Sequence, residues 1–450
     1  AGAATAPLAG ASVLDRIIDY GKDKGNQAVA NVVNNATGGN SGGGGGVGLR
    51  ELLALIGGIV GGRGKIDREA VAKLYHRGPD AGGAWEGKHF WMGHRRLAIV
   101  DTTDRGTQPF CYGDVVLSYN GELWNYHALR AQLSKAGDRF RTTCDTEVIA
   151  AALNRWGAKA LAYFDGMFAL AWSSDGGETL WLARDRFGEV PLHWTADRFS
   201  SELKALPSTA GAEFFPPGSV AHYKPDGVTA WRYYEIAIRR EEMSPPATRL
   251  RMAINQGTRE RRISDVGFCV LLSGGIDSSA VAYHLMDHKP IAYFAKGATG
   301  GDEADERCAR DVAAAFGLTL RVVPIPAPST AALREIVHAI EMPHKAQVEI
   351  AWACWWLAQV MRADGQRVTF SGEGSDELWA SYGSPVSSST HFGIEKLGWY
   401  GYRRKLFTDQ HRKNFARCNK IFMAHGIECR LPFLSTQLVE LGLGFTRAEV

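Results

Sequence analysis

Two textures follow one another along this chain. Between residues 52 and 235, short runs such as Val115-Val-Leu-Ser-Tyr119, Met167-Phe-Ala-Leu-Ala-Trp172 and Thr179-Leu-Trp-Leu-Ala183 alternate with Gly, Asp and Asn turns. That pattern predicts a layered, mostly antiparallel β-domain carrying some helices. Beyond Leu250 the pattern changes. Val266-Gly-Phe-Cys-Val-Leu-Leu272 is continuously apolar, as a strand buried on both faces must be, and a helix is predicted over 278–285. Strands at 291–295 and 320–325 flank a helix at 303–316, and a strand at 367–370 follows a helix at 351–362 rich in Ala and Trp. Such alternation predicts a doubly wound parallel α/β sheet, with ligands outside the carboxyl ends of its strands.

Three segments result: an extension at 1–50, a first domain at 51–235 and a second at 236–450. Residues 236–249, which include Ser244-Pro-Pro-Ala-Thr248, read as the connection between the two domains. The extension is rich in Ala, Gly and Asn. It holds one thin helical stripe at 11–33, then the linker-like Thr37 to Gly48. It reads as an unstructured or loosely docked extension, or as a targeting or docking arm that orders on a partner.

Composition narrows the classes. Hydrophobic residues make up 45% and charged residues 22% of 450, which excludes wholesale disorder and fibrous proteins. No apolar run reaches the ~18–20 residues of a membrane span. A net charge of +3 argues against a dedicated nucleic-acid surface. Seven cysteines without a Cys-x-x-Cys pair suit reduced thiols in a cytoplasmic protein better than a disulfide framework or a zinc site.

The sharpest chemical signal is Leu271-Leu-Ser-Gly-Gly-Ile-Asp-Ser-Ser279, between a strand and its helix. Gly274 and Gly275 allow backbone N–H groups to approach an anion, Ser273, Ser278 and Ser279 add hydroxyls, and the helix presents its positive end. This predicts a phosphate cradle. It lacks the lysine of a Walker loop, so a metal must supply countercharge, and Asp277 within the loop is tolerable beside phosphates only with a cation. A second cluster, Phe370-Ser-Gly-Glu-Gly-Ser-Asp-Glu377, brings Glu373, Asp376 and Glu377 to another strand's carboxyl end. Alone it could be an acidic helix cap. Paired with the first loop, it predicts Mg²⁺ held by Asp277 and Asp376 against the phosphates of ATP.

Ser273–Ser279 followed by Ser371–Glu377 resembles the pyrophosphatase-type loop of ATP-dependent enzymes, and specifically the asparagine synthetase family. Residues 56 to 442 carry the resemblance through His76-Arg-Gly-Pro-Asp80, His94-Arg-Arg-Leu97, Asn120-Gly-Glu-Leu-Trp-Asn125, Asp145-Thr-Glu147, Arg184-Asp-Arg-Phe-Gly188 and Arg430-Leu-Pro-Phe-Leu434. The resemblance implies an N-terminal class II glutaminase-like αββα sandwich and a C-terminal doubly wound synthetase domain. It also implies an ATP-dependent, AMP-forming carbon–nitrogen ligase. A carboxylate attacks the α-phosphate to give an acyl-adenylate and pyrophosphate, and an amine then displaces AMP. Leu271, Ser371 and Gly372 would line the nucleotide site, and Glu373 would deprotonate the incoming amine. Lys296 falls where the family usually has an apolar residue near the adenine. The implied partners are a small-molecule or peptide carboxylate and an amine, with no nucleic acid or membrane. A homo-oligomer or larger assembly could form through the extension.

In the N-terminal half the resemblance implies an oxyanion hole at Asn120 and Gly121, with Arg96 on the glutamine carboxylate and Asp145 on its ammonium. The family's nucleophile is an N-terminal cysteine whose own amine is the base. Here Ile56-Gly-Gly-Ile-Val-Gly61 places Gly57 at that position, inside the chain. Cys144 and Cys111 are the nearest substitutes, and buried structural thiols are the commoner outcome. The expectation is that glutamine is not hydrolysed and that the amine comes from elsewhere, as in β-lactam synthetases and lasso-peptide cyclases.

Two further departures bear on the synthetase half. Glu349 stands where the family has an arginine for aspartate, with His344 and Lys345 nearby as possible compensation; the sign change opposes ordinary aspartate recognition. The family also implies a later lysine that stabilises transition-state charge, and this sequence ends at Val450. Either more chain follows, another chain supplies the cation, or the synthetase is weak or dead. An ordinary glutamine-dependent asparagine synthetase and a non-catalytic assembly protein are the alternative readings.

Overall fold

The computed structural model describes residues 57–450 apart from 79, 98, 100–103, 240–244, 298–299 and 383–388, so the extension and its helical stripe lie outside the described residues. The N-terminal half is built on two six-stranded antiparallel sheets. One runs in the order Glu213–Phe214, His193–Trp194, Arg198–Ser200, Gly58–Arg63, Phe90–Arg96, Ala81–Glu86. The other runs Gly227–Arg232, Ser219–Lys224, Leu180–Arg184, Gly166–Ser173, Val115–Leu123, Phe110–Tyr112.

Alternation along each strand sorts side chains into separate layers. In Gly58–Arg63, Ile59 enters the core between the sheets, with Phe90, Met92, Ala169 and Leu182. Its neighbour Val60 faces the other way and packs with Trp91 against Ala70 and Leu74 of the helix Arg68–Lys73 and its cap. In Gly166–Ser173, Met167, Ala169 and Ala171 take the inter-sheet side. Phe168, Leu170 and Trp172 take the side of the helices Tyr126–Lys135 and Asp145–Trp156. Helix, sheet, sheet, helix is therefore the layer order. The same geometry explains why Met167–Trp172 reads as an unbroken apolar run: both faces of an antiparallel strand are covered.

The C-terminal half holds a five-stranded, all-parallel sheet in the order Leu320–Pro324, Ala292–Lys296, Phe268–Leu271, Val368–Phe370, Glu428–Arg430. Phe268–Leu271 is central, which accounts for its apolar composition. The predicted helix at 303–316 matches Glu303–Phe316, closed by an Asp302/Asp305 capping box and by Gly317 in the left-handed region (φ 64°).

Two expectations are corrected. The helix predicted over 278–285 is Ile276–Tyr283, so Asp277 occupies its first turn rather than the loop. Ser278 and Ser279 do not resist helix formation because their hydroxyls bond back to the Gly275 carbonyl, at 3.1 and 2.7 Å. The helix predicted over 351–362 spans Lys345–Ala363, which brings Gln347 and Glu349 onto it. Among the described residues, no helix is long and apolar enough to cross a membrane.

The two halves share a buried polar seam. Arg77 Nε donates to the Gly57 carbonyl at 3.0 Å, and its two terminal nitrogens reach Glu202 at 2.7 Å and Asn419 at 2.8 Å. Arg430 ion-pairs with Glu428 at 2.7 Å and with Glu122 across the seam at 3.6 Å.

Candidate functional site

The two predicted loops meet in space. Gly274 (φ +81°) turns the chain after Phe268–Leu271, and a Cβ there would strike the backbone of Ala309 at 2.7 Å. Ser273 and Ser278 tie the turn together with hydroxyl oxygens 2.9 Å apart. The second loop lies directly against the first. A Cβ on Gly372 would sit 3.0 Å from Asp277 Cβ and 3.1 Å from the Ser278 nitrogen. Ser375 Oγ donates to Asp277 Oδ1 at 2.7 Å and accepts from Trp379 Nε1 at 3.0 Å. Ser375 had no expected role; a serine following Gly374 carries no local signal, and its function depends on where Asp277 arrives.

Electrostatics join the two predicted metal ligands. The Asp376 carboxyl is pushed up to about 6 by burial, then by the charges of Asp277 and Glu377. Burial raises the Asp277 carboxyl as well, against the Ser375 hydrogen bond. Two close, mutually repelling carboxylates are a configuration that a cation relieves. No cluster of three or more potential ligands occurs among the described residues.

Glu373 is held from the far side. Arg417, on the buried helix Asn414–Met423, donates to Glu373 Oε2 at 2.7 Å. Arg417 is itself oriented by Gln347 Oε1 and Asn414 Oδ1, both at 2.9 Å. Burial raises the Glu373 carboxyl and Arg417 lowers it, and Oε1 is left outside the guanidinium bond. Sequence reasoning missed Arg417 and Gln347, since the helix Asn414–Met423 is remote from both loops in sequence. In the stretch around Glu349, it is Gln347 that reaches the Glu373 partner.

Beside the first loop a cavity of about 400 Å³ is lined by Leu271, Ser273, Gly275, Tyr293, Ala295 and Gly301, among others. Lys296 is not part of that lining; its ammonium pairs with Glu306 at 2.6 Å. Ser371 and Gly372 lie outside this cavity too, in the second loop. The Ser279 hydroxyl is spent on the Gly275 carbonyl.

The N-terminal half gathers its own set. Gly57, Arg96, Asn120, Gly121 and Asp145 all line one narrow cavity of about 40 Å³, together with His94 and Cys144. A Cβ on Gly57 would lie 3.2 Å from Asn120 Oδ1 and 3.8 Å from His94 Nε2. Asp145 accepts from Tyr119 OH at 2.8 Å and from the Leu123 nitrogen at 3.1 Å. Burial pushes the Cys144 thiol well above its ordinary range, and Asp145 adds to that, so the thiolate is disfavoured. Cys111 is exposed and is not in this cavity. Burial pushes His94 down to about 3, which leaves its imidazole neutral. Glu428 of the C-terminal sheet completes the wall, so the cavity abuts the seam between the halves.

Residues 56–233 match the glutamine amidotransferase domain family, and residues 249–416 match the asparagine synthase family. The chain is 31% identical over 402 residues to the glutamine-hydrolyzing asparagine synthetase 2 of Oryza sativa subsp. japonica, covering 83% of this chain and 65% of that one. Against the glutamine-hydrolyzing asparagine synthetase 2 of Arabidopsis thaliana it is 30% identical over 422 residues, 87% of this chain and 70% of the other. Against the glutamine-hydrolyzing asparagine synthetase B of Escherichia coli (strain K12), it is 30% identical over 403 residues, 82% and 70%. The chain thus spans about two thirds of the length of these relatives.

Proposed function

We propose, for a chain that belongs to the asparagine synthetase family, an ATP- and Mg²⁺-dependent ligase that forms an amide with an amine not drawn from its own glutaminase cavity. The observation that carries this reading is the union of the loops: Ser375 on Asp277 at 2.7 Å, with Gly372 in contact behind it, beside a 400 Å³ cavity. The reading takes Leu271, Tyr293 and Ala295 as the wall against the nucleotide base. Asp277 and Asp376 would hold Mg²⁺, which supplies countercharge to phosphate oxygens when bound. The turn Ser273–Gly275 and the amino end of the helix Ile276–Tyr283 face the departing pyrophosphate, where developing charge is stabilised by backbone and hydroxyl donors. A carboxylate oxygen attacks the α-phosphate, the bond to the pyrophosphate oxygen breaks, and the resulting mixed anhydride is open to an amine. Glu373, whose carboxyl burial raises and Arg417 pulls back down, accepts the amine's proton at Oε1.

Gly57 supports the second half of the proposal. It offers no nucleophile, and Cys144, the thiol that does line the cavity, is protonated. Pyrophosphate release measured with candidate carboxylates tests the whole. Ammonium or an amine substrate should stimulate it, and glutamine should not. Stimulation by glutamine with release of glutamate would refute the amine assignment. Absence of nucleotide binding would refute the ligase.

A further inference from the structure

Away from both loops, a cavity of about 430 Å³ lies between the N-terminal half and residues 404–412, at the end of the helical stretch Ser389–Thr408 that kinks at Gly398. Its lining is unusual in charge. Arg186, Arg232, Arg404 and Arg412 all face it, and the one carboxylate among the lining residues, Asp409, is already shared between Lys405 at 2.7 Å and Arg412 at 3.5 Å. Arg232 and Arg404 make no ion pair among the described residues. Arg186 reaches Thr436 at 2.9 Å and Asp165 at 3.6 Å, but its Nε is buried with no hydrogen-bond partner. The same lining also carries apolar side chains, Phe187, Pro217, Ile236 and Phe407.

We propose that this cavity is a binding site for a small organic phosphate, separate from the nucleotide-loop site. Guanidinium forks match phosphate oxygens two at a time, and a converging set of them with little neutralisation favours a dianion over a single carboxylate. The apolar side chains in the lining suit an organic body attached to the phosphate. A buried Nε without an acceptor is a donor that a phosphate oxygen satisfies. Because the site joins the N-terminal half to a helix of the C-terminal half, its occupant would also bridge them.

The test is calorimetric titration of the full chain with phenyl phosphate and, separately, with benzoate. It is repeated on the double variant Arg232→Glu/Arg404→Glu and on Arg404→Lys. Saturable phenyl phosphate binding is expected, tighter than benzoate and weakened at least about tenfold in the double variant, with Arg404→Lys in between. Both altered arginines are solvent-facing, so ATP binding by the same variant should be unchanged, which separates this site from the loops. The proposal is overturned by a lack of saturable phenyl phosphate binding, by benzoate binding as tightly, or by unaltered affinity in the double variant, which would assign the phosphate to Ser273–Ser279.

Discussion

Ser375 donates its hydroxyl to Asp277 across 2.7 Å, joining residues 98 apart in the chain. That bond orients the first carboxylate of the proposed metal pair and ties the two loops together. Replacing Ser375 with Ala should leave a half-buried carboxylate short of a donor. The expected cost is about 1–3 kcal/mol of stability, read from denaturant unfolding, with weaker Mg²⁺-nucleotide binding by calorimetry. A variant with full nucleotide affinity would remove Ser375 from any positioning role.

Gly372 tests the same contact sterically. Its added Cβ would meet Asp277 Cβ at 3.0 Å and the Ser278 nitrogen at 3.1 Å, one of them backbone. Gly372→Ala should therefore push the loops apart by a few tenths of an ångström. Nucleotide affinity should drop by about tenfold or more, because metal coordination tolerates little displacement. Thermal stability should change little by comparison.

The Asp376 carboxyl, raised to about 6, makes a pH prediction. A carboxyl whose folded pKa lies above its ordinary value of 3.8 opposes folding when it ionises. Its contribution to metal-free stability is present at low pH and is lost as pH rises through about 6. Asp376→Asn should thus raise the metal-free Tm at neutral pH and match the unaltered protein in acid. Mg²⁺ binding carries the opposite sign, since the ion needs the carboxylate: affinity should rise with pH across the same window and release a proton. A flat pH profile for both quantities would contradict the assignment.

Arg417 is a positioning residue for Glu373. Arg417→Met leaves the Glu373 carboxylate, 19% exposed, without its guanidinium partner, at a cost of about 1–3 kcal/mol, and should raise its pKa further. Arg417→Lys keeps the charge and restores part of both stability and pyrophosphate release. The telling readout is the pH–rate profile: in Arg417→Lys its acidic limb should move upward, whereas a purely structural arginine would leave the limb in place.

Gly57 permits a gain-of-function experiment. Gly57→Cys in the full chain should remain inactive on glutamine, since the added thiol has no free α-amine beside it. Removing residues 1–56 from that variant supplies the amine. Glutamate release should then begin, for the new Cβ lies 3.2 Å from Asn120 Oδ1 in a cavity that still holds Arg96 and Asp145. Cys144→Ala should alter neither result.

Local pattern was legible from residues alone. Glu303–Phe316 was readable to the residue because its caps, Asp302 and Gly317, are local chemistry. The antiparallel half and the parallel half were legible from run length and alternation, and both phosphate-loop and carboxylate clusters stand as contiguous strings. The start of Ile276–Tyr283 was misread by two residues: Ser278 and Ser279 sit inside the helix, their hydroxyls bonded back to the Gly275 carbonyl. Lys296, at a strand end near the 400 Å³ cavity, was claimed by Glu306 one helix away.

What the amino-acid order determined by itself was the set of elements and the chemistry each loop could offer, because turn residues, caps and periodicity act over a few positions. Only the folded chain decided the pairings. Asp277 finds Ser375, Glu373 finds Arg417, and Arg77 spans Gly57, Glu202 and Asn419. Those contacts arise where parallel strands deliver their carboxyl ends to one edge and where two cores close over a polar seam. Neither the distance between partners along the chain nor their charge alone specifies which will meet.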